Sequence, residues 1–244
     1  MGIIGLFQFL RRYEQRVYIP TAVRGRNIAI DIFAFLHLSK GSHDTFMNLL
    51  KPYLENAASI IAVFDGSPSE ERKELKALEK RNDMGQSIIA IQECINNPFM
   101  HISRADRMYL QTHVNDLNNR AWIPSPQYMW EAYDMLVAKN VECIVAPKGE
   151  EADTILANLS VDIVISNDSD LIAYGVKCLL RPNGIYYEKE AILTGLQFTE
   201  EDWATFICIC RTMKRANPEF AFTAIKLYKG DKEYICERYE ELFV

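Results

Sequence analysis

Short runs of Val, Ile and Leu recur at 27–30, 59–64, 141–145, 161–166 and 176–180, and stretches with helical periodicity separate them. A strand that is apolar on both faces is covered on both sides, and alternation with helices means crossover connections. The pattern therefore predicts an α/β fold with a mainly parallel central sheet between helical layers. Helices are expected over 44–54, over 126–138 with apolar positions at Met129, Tyr133, Leu136 and Val137, and over 151–159.

Two stretches break this rhythm. Residues 67–83 form a highly charged helical pattern with Ser67 or Ser69 as N-cap and almost no apolar stripe, so this helix must project from the body or lie on its surface. About sixty residues separate Phe64 from the next helix–strand unit near Pro126, too many for a simple crossover, so an insertion lies over about 67–120. Beyond Gly195, residues 199–210 read as a helix in which Thr199 and Asp202 make a variant capping box, and the remainder is helical and mixed. The expected organisation is a core over 1–195 carrying the insertion, followed by a helical C-terminal segment over 196–244.

With 244 residues, 49% hydrophobic and 25% charged, the chain has the composition of an ordinary globular protein and can bury a sizeable core without staples. Its six cysteines never fall in C-x-x-C spacing, which points to core thiols in a reducing compartment rather than to structural zinc. The N-terminal residues lack a long apolar run, so neither a signal peptide nor a membrane span is expected. Leu6 also stands where a myristoylation signal carries Ser or Thr. A net charge of −6 and a pI near 5.4 would disfavour nucleic acid as a partner, unless the acids are gathered for another purpose.

Their positions indicate such a purpose. Asp31 closes Asn-Ile-Ala-Ile-Asp, and Asp65 closes Ile-Ile-Ala-Val-Phe-Asp. Glu151 and Asp153 follow the strand ending in Val-Ala-Pro, and Asp168 and Asp170 close Ile-Val-Ile-Ser-Asn-Asp-Ser-Asp. Parallel strands release their C-termini on one edge, where open α/β sheets place ligands, so six carboxylates from four strand ends can converge. In extended chain Asp168 and Asp170 point the same way. Glu151 and Asp153 can cooperate at an irregular first helical turn just after Gly149. Carboxylates so close raise one another's pKa, and divalent cations relieve the conflict. All-oxygen ligation selects Mg²⁺ or Mn²⁺, and two such ions about 3.5–4 Å apart would activate water and stabilise a leaving oxygen in phosphodiester cleavage. A single aspartate at a strand end ordinarily caps a helix or turns the chain, and that alternative holds for any one of the six taken alone.

The motifs Met1 to Leu6, Arg24-Gly25-Arg26-Asn27-Ile28-Ala29-Ile30-Asp31, Val63-Phe64-Asp65-Gly66-Ser67-Pro68, Gly149-Glu150-Glu151-Ala152-Asp153 and Ser166-Asn167-Asp168-Ser169-Asp170 resemble, in order and spacing, the flap endonuclease/XPG family of 5′ nucleases. The resemblance covers residues 1 to about 180. It implies a PIN-like three-layer core, a metal-dependent and structure-selective nuclease, and Asp31, Asp65, Glu151, Asp153, Asp168 and Asp170 as ligands of two ions. It also implies that the Gly2 backbone lies close to the site and that the 67–83 helix begins a helical arch. On that helix Arg72 and Lys76 would offer cations to the scissile phosphate, with Lys73 and Lys80 as neighbours, the plain alternative being a solvated helix face. His37 falls where the family often has a base-stacking aromatic; a surface histidine is the alternative.

Departures from the family pattern are equally specific. A seventh carboxylate ordinarily stands in a Leu-Gly-Ser-Asp-Tyr-like segment that opens a duplex-gripping helix–two-turn–helix element. The counterpart here is 209–218, with Met213 at the aspartate position and without the glycines. Lacking them, the backbone loses its usual close approach to phosphate, and the C-terminal helical region is read as reduced.

Three functions follow as expectations: a nuclease cutting flapped or branched DNA near junctions, a host-shutoff-type endonuclease degrading mRNA, or an inactive scaffold that binds nucleic acid. Arg24 and Arg26, with Arg11, Arg12 and Arg16, form a basic cluster able to track phosphates, unless local acids such as Glu14 pair with it. Trp122 and Trp130 flank a Pro-Ser-Pro turn and are read as packing residues. The expected protein is a monomer that acts away from membranes, with room for a protein partner supplying duplex grip.

Overall fold

The computed structural model describes residues 3, 5–66, 71–96, 103–122, 124–147, 150–212 and 218–228. Two short helices, α1 (Leu6–Phe9) and α2 (Ile19–Val23), bracket a two-residue strand β1 (Gln15–Arg16). Strand β2 (Asn27–Asp31) runs straight into α3 (Ile32–Ser39), and α4 (His43–Leu54) leads to β3 (Ser59–Phe64). Two long helices follow, α5 (Glu71–Asn96) and α6 (Arg104–Ala121), then α7 (Pro126–Val137) and β4 (Glu142–Val145). The chain continues through α8 (Ala152–Asn158), β5 (Ile163–Ile165), α9 (Asp170–Ala173), β6 (Cys178–Leu180) and β7 (Ile185–Glu188). Helices α10 (Lys189–Leu196), α11 (Glu200–Thr212) and α12 (Pro218–Tyr228) complete it.

The seven strands form one sheet in the order β1-β7-β6-β5-β2-β3-β4. Five of them, from β6 to β4, are parallel, and only β7 and β1 pair antiparallel. This is the mainly parallel α/β sheet expected, with an antiparallel edge that the hydrophobic pattern did not show. The central strands β2 and β5 are buried over Ile28, Ala29, Ile30, Ile163, Val164 and Ile165, as strands with helices on both faces must be.

One apolar layer joins Phe35, Leu36, Phe46, Leu50, Tyr128 and Leu136 from α3, α4 and α7 to the first face of the sheet. The opposite layer joins Leu6, Leu10, Leu156, Leu171, Phe206, Ile209 and Ile225, so α11 and α12 share a core with the N-terminal helices and α8. Local signals set the helix starts. Ser42 and Ser125 accept hydrogen bonds from the Thr45 and Tyr128 N–H groups, and Thr199 and Asp202 close the capping box foreseen from sequence. Helices α5 and α6 pack along each other as a hairpin inserted between β3 and α7, both of which belong to the sheet body. The charged segment expected over 67–83 is helical from Glu71 on, as part of α5 to Asn96, and the expected caps Ser67 and Ser69 lie outside the described residues.

Candidate metal centre

Strands β2, β3 and β5 end at Asp31, Phe64 and Ile165, and in parallel alignment these ends share one edge. Asp31 closes β2 and also caps α3, its Oδ1 accepting the Phe33 N–H at 3.0 Å. Its Oδ2 accepts a hydrogen bond from the Ser166 hydroxyl at 2.6 Å, which joins the ends of β2 and β5. Asp65 follows β3 and its Oδ1 accepts the Ala152 N–H at 2.8 Å, which fixes the start of α8 beside β3. Ser166 Oγ in turn accepts the Asp168 N–H at 3.0 Å, and Asp168 Oδ1 accepts the Asp170 N–H at 2.8 Å. The carboxylates are thus oriented by backbone and hydroxyl donors rather than left to find their own rotamers.

Gly66 makes the approach between neighbouring strand ends possible. A Cβ there would run into the backbone carbonyl of Pro147 and stand 2.7 Å from that of Ala146. Only glycine lets the chain leaving β3 pass this close to the chain leaving β4. The contact keeps Asp65 near the loop that delivers Glu151 and Asp153.

Electrostatics show which acids face one another. Burial, followed by the charges of Asp168, Asp31, Asp65 and Glu151, pushes the Asp153 carboxyl up to about 7. Burial raises Asp31 to about 6 against the lowering effect of its Ser166 hydrogen bond, and Asp65 adds to the rise. Five of the six expected acids therefore surround one pocket, with Asp153 central. Asp170 is oriented differently, because its Oδ1 accepts the Ile3 N–H at 2.7 Å and its Oδ2 lies 3.4 Å from the Arg211 guanidinium.

Such a pocket suits a hard divalent cation. Burial and then neighbouring acids raise Asp153 and Asp31, and bound positive charge would offset both. Among the described residues, no three carboxylate, imidazole or thiol groups stand together as ligands of one ion.

The remaining sequence candidates divide by position. His37 lies on α3 with its ring edge-on to Phe33 and Trp122, at centroid distances of 4.7 and 5.6 Å. Burial and then Lys40 lower its pKa, so it is a neutral aromatic surface at neutral pH. Arg72, Lys73, Lys76 and Lys80 belong to the first turns of α5, and their side chains lie outside the described residues, as do Gly2 and Met213. The structure separates Arg24 and Arg26 from the acids: they precede β2, whereas Asp31 ends it, so they stand at the opposite edge of the sheet. Glu14 Oε1 accepts the Tyr187 hydroxyl at 2.6 Å, and Arg12 lies over the Phe9, Tyr13 and Phe222 rings. Trp122 is a packing residue as expected, but Trp130 is 58% exposed, because it falls on the outer side of α7. Sequence reasoning missed Ser166, Arg211, Tyr174 and the Ile3 N–H. Of these only Ser166 had a local signal, a hydroxyl two residues before Asp168 at a strand end.

The chain was compared with known proteins. No family model matches it. It is 25% identical over 239 residues to exonuclease 1 of Danio rerio, covering 86% of this chain and 27% of that protein. It is 28% identical over 197 residues to flap endonuclease 1 of Enterocytozoon bieneusi, covering 73% and 51%. Exonuclease 1 of Xenopus laevis is 29% identical over 241 residues, covering 86% and 30%. The chain thus spans between about a quarter and a half of the length of these relatives. In fold it is similar to the catalytic core of Rad2 in complex with a DNA substrate, with a TM-score of 0.61, 15% identity, and coverage of 99% of this chain and 74% of that one. No described helix is long and apolar enough to cross a membrane. The chain is thus similar in sequence to exonuclease 1 and flap endonuclease 1 and in fold to the Rad2 core, likenesses that support the resemblance to the flap endonuclease/XPG family.

Proposed function

We propose that this chain is a divalent-metal-dependent phosphodiesterase that cleaves flapped or branched DNA near junctions between single strand and duplex. The carrying observation is the pocket around Asp153, whose carboxyl is raised by burial and then by four other acids delivered from four strand ends. In this reading Asp31, Asp65, Glu151, Asp153 and Asp168 hold Mg²⁺ or Mn²⁺, which supplies an activated water and charge stabilisation at the phosphate.

The protein's own groups prepare that chemistry. Ser166 and the Phe33 N–H hold Asp31, and the Ala152 N–H holds Asp65, so little reorganisation accompanies binding. The α5–α6 hairpin follows the end of β3, beside the acids, and is the proposed arch over a single strand; Arg72, Lys73, Lys76 and Lys80 are its proposed phosphate contacts. His37, between Phe33 and Trp122, is the proposed stacking surface for a base. Gly2 is proposed to lie near the pocket, since its neighbour Ile3 is tied to Asp170. Residues 1–195 would form the nuclease core and 196–244 the C-terminal segment. Cys143, Cys178 and Cys210 are free thiols, in keeping with action in a reducing compartment.

A panel of end-labelled 5′-flap DNA, gapped duplex, intact duplex and single-stranded RNA, each with Mg²⁺ or Mn²⁺, tests the proposal. Metal-dependent cutting of the flap at its junction supports it. Preference for RNA would replace it with the ribonuclease reading, and no turnover on any substrate would leave a binding scaffold.

A further inference from the structure

Asp170 accepts from two donors of the chain itself, one backbone and one cationic. It is 5% exposed, Oδ1 accepts the Ile3 N–H at 2.7 Å, and Oδ2 is paired with Arg211 at 3.4 Å. Arg211 comes from α11, forty-one residues further along, and its guanidinium lies 4.4 Å from the centroid of the Tyr174 ring. A ring beneath and a carboxylate beside it fix the guanidinium, which is a permanent cation.

A divalent ion bound at Asp170 Oδ2 would have to evict Arg211 from its aromatic seat or lie within a few ångströms of its positive charge. Either event is unfavourable. On the reading of the pocket around Asp153 as a metal centre, we propose that Arg211 supplies at Asp170 the positive charge that a second ion would otherwise bring. The chain then takes up a single Mg²⁺ or Mn²⁺, in place of the pair expected from sequence. Arg211 is in this sense a positioning residue: it neutralises Asp170, and Asp170 in turn anchors the N-terminal segment through Ile3.

Counting bound Mn²⁺ by electron paramagnetic resonance of the free ion, without nucleic acid, tests this on the whole chain. The wild type is expected to bind one ion tightly, Arg211→Lys one, and Arg211→Gln two, because Asp170 is then available. Two ions of comparable affinity in the wild type, or one in both the wild type and Arg211→Gln, overturn the proposal. Should Arg211→Gln not fold, Asp170→Asn serves instead: retention of the wild-type single ion supports the proposal, and loss of a bound ion overturns it. No Mn²⁺ uptake by the wild type would refute the metal-centre reading itself and this inference with it, whereas two ions would refute only the inference.

Discussion

Ser166 Oγ donates a hydrogen bond of 2.6 Å to Asp31 Oδ2 and accepts the Asp168 N–H at 3.0 Å, linking the ends of two neighbouring parallel strands through one hydroxyl. That hydrogen bond lowers an Asp31 carboxyl that burial otherwise raises. In Ser166→Ala, Asp31 should climb above its value of about 6, and the acid limb of the cleavage rate against pH should move to higher pH. The stranded Asp168 N–H should add about 1–3 kcal/mol of destabilisation. A pH–rate profile and a urea titration measure the two effects; an unmoved acid limb would show that Ser166 does not tune Asp31.

Proton linkage gives the second prediction. Asp31 and Asp153 are raised to about 6 and about 7 in the folded chain, above their values when unfolded, so the folded state binds more protons between those limits. Their contribution is fully present below about pH 4, the unfolded range, and is lost as pH rises through 6 and 7. For Asp31 alone the loss is about 3 kcal/mol. The melting temperature of the chelated protein should therefore fall from acid to neutral pH. Mg²⁺ should raise it more at pH 8 than at pH 5, because protons and metal compete for the same oxygens. Equal metal-induced shifts at the two pH values, measured by differential scanning fluorimetry, would argue that the ion binds elsewhere.

Gly66 supplies a purely steric prediction. In Gly66→Ala the new methyl meets the Pro147 and Ala146 carbonyls, and backbone cannot swing away as a side-chain tip can. Separating the two strand ends should cost about 1–3 kcal/mol of stability. Cleavage should fall further than stability alone explains, because Asp65 and the Glu151 loop move apart. Chemical unfolding together with single-turnover kinetics separates these losses, and an alanine variant with wild-type activity would contradict the role given to this contact.

How much of this was legible in the sequence depends on the range of the interaction. The parallel strands and their terminal acids were readable because apolar runs such as Ile28 to Ile30 carry their own signal, and a parallel sheet gathers strand ends whatever the loops do. Helix α3 was hidden, since Ile32 to Leu38 continues the apolar run of β2 without a polar break; Asp31 acting as its N-cap was the only punctuation. Strand β1 has two residues, both exposed, and so no period to read, whereas the Pro182-Asn183-Gly184 turn before Ile185 was an overlooked hairpin signal. Arg24 and Arg26 stand close to Asp31 in sequence, but the length of β2 lies between them and it. The pairing of Asp170 with Arg211 depends on how α11 docks, and no local pattern encodes that.

His37 yields a prediction about binding rather than chemistry. Its ring, held edge-on by Phe33 and Trp122 and kept neutral by burial, is offered as a stacking surface. His37→Ala should raise KM for flap DNA roughly fivefold to a hundredfold, the range of about 1–3 kcal/mol for one lost stack, and change kcat little. His37→Phe should restore binding. Steady-state kinetics on the same flap substrate distinguish this from a structural role, in which both parameters would move and the phenylalanine would give no rescue.

Single-turnover cleavage of a 5′-flap DNA in Mg²⁺ decides whether acids from four strand ends form one catalytic metal pocket around Asp153. Junction cutting by the wild type is expected, abolished by chelation and reduced by at least about a hundredfold in Asp153→Asn with the fold retained. Cleavage that survives chelation, or an Asp153→Asn variant as fast as the wild type, would contradict it.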